Sequence, residues 1–191
     1  MTGKAGPSKL SKRDRLRRVI ILCSSFIRNL AYYRAGQAQE VSSLLDENSQ
    51  NVSFWRQANS NYIDICVLEW CKLFVEANGR HNWRRVISDQ TGFEAGLLSH
   101  LGINADAFKN QREETRHYRN KFVAHLDEGS TMNIPRLDIA LESVRYLHGH
   151  LISKETMPGD LAGLPDTLDK LDLGYKQCFD EALALFRQQL K

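Results

Sequence analysis

Apolar residues recur at three- and four-residue spacing over most of this chain. In "LSKRDRLRRVIILCSSFIRNLAYYRAG" (10–36) the positions Leu16, Val19, Ile20, Cys23, Phe26, Ile27 and Leu30 follow one helical face. Ser11 suits the N-cap and Gly36 the stop. "SSLLDENSQNVS" is rich in Ser, Asn and Asp and reads as a loop. A second helix is predicted over "NSNYIDICVLEWCKLFVEANG" (59–79), with Tyr62, Ile63, Cys66, Val67, Trp70, Leu73 and Phe74 on a wide apolar face and Gly79 as its stop.

One or two short helices follow in "HNWRRVISD" and "FEAGLLSHLG", with Gly92 and Gly102 at the joints. Asn104 can cap the long segment "NADAFKNQREETRHYRNKFVAHLD", in which Phe108, Thr115, Tyr118, Phe122 and His125 share a face. Tyr118 and Phe122 are expected to pack inside. "EGSTMN" is a turn, and Pro135 suits the first turn of "PRLDIALESVRYLHGHLISKE". After a second loop, "TMPGDLAGLP", Asp166 is placed to cap "TLDKLDLGYKQCFDEALALFRQQL". No strand alternation, Asn-Gly hairpin turn or internal repeat interrupts this pattern. The expectation is an all-α fold: a bundle of about five main helices plus short ones, forming one domain over residues 1–191.

Composition supports a globular chain. Of 191 residues, 42% are hydrophobic and 26% charged, which is enough apolar material to build a core. The net charge of +3 conceals an asymmetry. Residues 1–19 hold seven cations against Asp14, giving +6, so the remainder sums to −3. Residues 1–10 read as a flexible basic arm. A basic run can attract phosphate or can merely solvate a helix start. The cysteines, Cys23, Cys66, Cys71 and Cys178, form no CxxC pair and sit in apolar surroundings, as expected of reduced, buried thiols in a cytoplasmic protein. "VIILCSSFI" lacks a small-x-small cleavage site, is too short to span a membrane, and leads into Arg28 of a continuing amphipathic helix.

The common enzymatic signatures are missing: no Gly-rich phosphate loop, no GxSxG, no HExxH. His148 and His150 form an HxH pair, but on a helix they point about 200° apart and no further ligands accompany them, so no metal and no cofactor is expected. Asp64 and Glu69 read as polar edges of the second helix. His81, His100 and His117 read as surface or boundary histidines.

"RHYRNKFVAHLD" (116–127) is different in kind. It runs from basic through apolar to a histidine and an aspartate. Arg119 and His125 lie six positions apart, about 120° around an ideal helix, so spacing alone does not bring them together. One reading makes His125 the edge of the core. The other makes Arg119 and His125 a site, completed by the reach of Arg, by departure from ideal geometry near the helix end, or by a second copy of the helix.

Arg-Asn, then four residues, then His, closing on "AHLD", resembles the R-[polar]-x(3–5)-H signature of the HEPN superfamily, the higher eukaryote and prokaryote nucleotide-binding domains. "RNKFVAHLD" is similar to the branch linked to abortive phage infection, as are "VLEWCKLF" upstream and "PRLDIALESVRYL" downstream. The resemblance spans about residues 55–155. It implies a helical bundle that pairs through its motif helices and, in active members, metal-independent RNA cleavage. Carried over, His125 is the general acid or base, Arg119 holds the scissile phosphate, and Asn120 orients one of them. Arg116 and Lys121 are the implied RNA contacts. The implied partners are RNA or a nucleotide, a second copy of the chain, and an antitoxin or nucleotidyltransferase. The alternative within the same resemblance is a non-catalytic module that binds nucleotide, RNA or a protein, so enzymatic activity stays open at this point.

Overall fold

The computed structural model describes residues 10–42, 51–124 and 134–189, and the side chains of 122–124 and 189 lie outside that description. The described residues are helical and contain no strand. There are seven α-helices among them: α1 (Lys12–Gly36), α2 (Gln39–Ser42), α3 (Val52–Trp70), α4 (Gln90–Leu101), α5 (Ala105–Tyr118), α6 (Leu137–His150) and α7 (Leu168–Gln189). The count exceeds the five main helices read from periodicity because α2 and α4 are too short to show a sustained stripe. Three helices run on into π-turns, at Cys71–Val75 after α3, Arg119–Ala124 after α5 and Leu151–Glu155 after α6.

Helix α1 is the spine. It packs on α3, α6 and α7. Its seven apolar positions named from spacing are all buried, as are Ile63, Cys66, Val67, Trp70, Leu73 and Phe74 along α3 and its π-turn. These residues join Phe93, Phe108, Tyr118, Val144, Leu147 and Leu171 in the main core. Trp70 stacks on Phe74 with ring centroids 5.4 Å apart, and Phe108 closes edge-on at 6.1 Å from each. The Trp70 Nε1–H donates to Ser143 Oγ at 2.8 Å, so the indole dipole is satisfied inside the apolar cluster.

Local chemistry explains several helix ends. Ser11 Oγ accepts from the Asp14 N–H at 3.1 Å, and Asn104 Oδ1 accepts from the Ala107 N–H at 2.8 Å. Gly102 ends α4 at φ 63°, where a Cβ would be strained. Several expectations are corrected. Helix α3 begins at Val52, not near Asn59, because its first turns pack the half-buried Trp55 against Phe186 of α7, with ring centroids 5.0 Å apart. Gly92 is inside α4, its N–H held by Asp89 Oδ1 at 2.9 Å. Pro135 precedes the cap Arg136 instead of opening α6. Thr167, not Asp166, caps α7 through its Oγ1 on the Lys170 N–H at 3.2 Å, while Asp166 pairs with the Lys170 side chain at 2.6 Å. All four cysteines are free, but Cys178 is half-buried where the other three are buried.

No helix of the described residues is long and apolar enough to cross a membrane. The expected basic arm, residues 1–10, lies outside the description apart from Leu10.

Candidate functional site

The motif helix ends where the expected chemistry begins. Tyr118, the last residue of α5, is 1% exposed, so the expectation of a buried aromatic there holds. Its hydroxyl donates to Asp64 Oδ1 on α3 at 3.2 Å. Burial pushes the Asp64 carboxyl above its ordinary range, and the Tyr118 bond partly offsets this. Burial raises the Tyr118 hydroxyl as well, with the Asp64 charge adding to the shift. Phe122 lies on the π-turn, and its side chain is outside the described residues.

At Arg119 the backbone widens from α to π geometry, a change frequent at functional sites. The guanidinium is held on two sides. Its Nε and Nη2 donate to Asn120 Oδ1 at 3.1 and 3.0 Å, and its Nη1 donates to Glu76 Oε1 at 2.7 Å. Asn120 is therefore the side chain that orients Arg119. The Arg119 side chain is half-buried, at 20% exposure.

Glu76 was not named from the sequence. It follows the π-turn at the end of α3, with its N–H on Cys71 O at 2.9 Å. Two helices thus end in π-turns side by side, and the residues at those turns meet across 43 positions of chain. One sequence signal could have found it: a carboxylate at a helix C-terminus opposes the helix dipole and needs a cation nearby.

Below this pair, Cys71 Sγ faces Thr115 O at 4.0 Å. Burial pushes its thiol up to about 11, against the lowering pull of Arg119, so it stays protonated and unreactive near neutral pH. Arg116 is exposed and Lys121 half-buried on the same stretch. His125, the expected acid or base, lies outside the described residues, as does Asp127.

The other candidates resolve differently. His148 is 0% exposed, its Nε2–H donating to Pro165 O at 3.1 Å, and burial lowers it to about 4. His150 packs edge-on against Phe93 at 5.0 Å. Among the described residues no group of His, Cys, Asp or Glu is placed to hold a metal. Glu69 is not the polar edge that spacing implied but is buried at 8% exposure, with Oε2 unpartnered and its carboxyl raised by burial.

The chain matches no family model, no curated protein and no solved structure.

Proposed function

We propose that the protein is a metal-independent endoribonuclease of the HEPN type, working as a toxin or phage-defence component, with a composite site at a homodimer interface. The observation that carries this reading is the Arg119 fork. It is oriented by the adjacent Asn120 on a π-turn, partly exposed, and six residues ahead of His125. A bidentate guanidinium fits a phosphodiester and the extra charge of its pentacovalent transition state.

In the proposed reaction a ribose 2′-hydroxyl attacks the adjacent phosphorus. Its proton passes to a histidine base, the bond to the 5′-oxygen breaks, and that oxygen takes a proton from an acid. The products are a 2′,3′-cyclic phosphate and a 5′-hydroxyl. His125 of the two copies would supply the acid and the base, since an ordinary histidine titrates near neutrality. Arg116 and Lys121 would hold flanking phosphates.

One specific observation favours the second reading, a module that binds RNA, nucleotide or a protein without cutting. The Glu76 carboxylate already sits on Arg119 at 2.7 Å and competes with an incoming phosphate.

The test compares wild type with His125→Ala on a mixed RNA pool in chelator, after circular dichroism has shown both to be folded. His125→Ala should cut about a hundredfold or more slowly. Arg119→Lys should also fail, because a point charge cannot reproduce the fork. Equal cutting by wild type and His125→Ala would indicate a contaminating nuclease and discard the site. No cutting by wild type would favour the binding module.

A further inference from the structure

A cleft of about 480 Å³ lies along α6, between the end of α4 and the start of α7. That volume is ordinary for a small-molecule site. Glu142, Tyr146 and His150 recur every four residues on α6, and Lys154 follows at the same spacing on the π-turn, so all four line one face. No lining residue belongs to α5 or to the π-turn that carries Arg119. The cleft is therefore independent of the RNA reading.

Gly149 helps to open it. A Cβ built there would stand 3.2 Å from Leu168 Cδ1 of α7, and without one the position between Tyr146 and Ser153 presents backbone alone. Aromatic rings form the side next to α4. The Tyr146 ring centroid lies 5.3 Å from that of His100 and 6.3 Å from that of His150. Buried Phe93 supports this row, 5.4 Å from Tyr146 and edge-on to His150 at 5.0 Å. The Tyr146 hydroxyl rests on Gly96, where any Cβ would overlap it. The rings are thus held in place before a ligand arrives, which lowers the entropic cost of binding.

The charges of the cleft are divided between its ends. At one end His100 Nε2 lies 3.3 Å from Glu142 Oε2, and Arg145 Nη1 lies 3.9 Å from Glu142 Oε1. Arg145 Nη2 also donates to Asp172 Oδ2 of α7 at 2.7 Å, so two carboxylates already hold this guanidinium. At the other end Lys154 is exposed and has no carboxylate partner among the described residues. Ser153 Oγ, beside it, donates to His150 O at 3.3 Å. Burial makes His150 less basic than usual, against the pull of Glu155, so near neutral pH it offers a ring face and not a second charge.

One free ammonium matches one negative charge. Glu142 repels a second anion at the far end, which disfavours a polyphosphate. A flat ring matches the row of aromatic faces. The Glu142 carboxylate has room for a further donor, since two oxygens offer about four lone-pair sites. We propose that this cleft binds a phenolic carboxylic acid, with its ring on Tyr146 and His150, its carboxylate on Lys154 and its hydroxyl donating to Glu142. The carboxylate sits on a short alkyl chain, because Glu142 and Lys154 stand about three helical turns apart.

The first arm of the test is calorimetric titration with 3-(4-hydroxyphenyl)propionate. Wild type should bind it with a Kd of about 1 mM or tighter. The Gly149 and His150 amide resonances should shift as it is added. Lys154→Gln should bind the acid about tenfold more weakly, the usual scale for a lost charge-assisted contact. The uncharged analogue 3-(4-hydroxyphenyl)propan-1-ol should bind both proteins alike. Lys154 is exposed, and matching thermal unfolding checks that the variant is folded. Lys109→Gln on α5 is the control and should behave as wild type. No binding by wild type at about 10 mM acid, or equal binding of the acid by Lys154→Gln, overturns the proposal.

The second arm changes the ligand. 3-Phenylpropionate lacks the hydroxyl and should bind wild type about fivefold more weakly. Equal affinity would overturn the Glu142 contact. Adenosine monophosphate should bind more weakly than the phenolic acid. If it binds more tightly, and loses affinity in Lys154→Gln, the cleft is a nucleotide site and the assignment to a carboxylic acid is overturned.

Discussion

The Tyr118 hydroxyl donates to Asp64 Oδ1 at 3.2 Å and ties the end of α5 to the middle of α3, one residue before Arg119. Removing it with Tyr118→Phe should cost about 1–2 kcal/mol of stability, since a half-buried carboxylate loses its donor. The Asp64 carboxyl is already raised by burial, and the bond lowers it. The variant should therefore raise it further, and its stability deficit should be larger at pH 7 than near pH 3, where the acid is neutral in both proteins. Urea unfolding at the two pH values measures this. An equal deficit at both would mean that the bond does not favour the ionised form.

A composite site needs two copies of the motif helix, because each chain supplies one Arg119 and one His125. A two-fold homodimer with the 116–127 segments facing each other is the expected state at micromolar concentration. Sedimentation velocity decides it. Monomer alone would rule out the shared site and leave at most a binding role for Arg119.

His148 predicts acid sensitivity. It is buried neutral, with its folded value lowered to about 4 from the ordinary 6.5. A lowered value means the unfolded state binds the proton first as pH falls. Its contribution is thus complete above about pH 6.5 and is lost as pH drops through about 4, a change of about 3 kcal/mol. His148→Gln should flatten the stability profile across that window. A profile as steep as wild type would show that other groups cause the acid loss.

Glu69 predicts the opposite slope. Its carboxyl is raised by burial, above the ordinary 4.5, while Ser25, Lys72 and Arg28 pull it back. The folded state therefore holds its proton longer than the unfolded state. Its favourable contribution is present below about pH 4.5 and lost as pH rises through the folded value. Glu69→Gln should leave stability near pH 4 unchanged and raise it at pH 8, by removing a buried charge whose Oε2 has no partner. Denaturant midpoints at the two pH values test it, and a destabilised variant at pH 8 would mean that the carboxylate holds α1 to α3.

Helix periodicity determined the class of this fold and most of its core. The faces of α1 and α3 are legible because burying one side of a 3.6-residue period forces apolar residues into a stripe. The Ser11 and Asn104 caps are legible because their hydrogen bonds are local. The resemblance implied that Asn120 orients either Arg119 or His125, and it is Arg119 that its Oδ1 accepts from. Distant contacts decided the rest. Helix α3 starts at Val52, inside the Ser- and Asn-rich stretch read as a loop up to Ser53, where Trp55 packs on Phe186. Glu69 is buried because α1 crosses α3 there. Glu76 meets Arg119 because two helices happen to end in π-turns side by side. Spacing along a chain encodes which residues share a helix face. It does not encode which faces meet, because that depends on how whole helices pack, and the Glu76–Arg119 pair exists only through that packing.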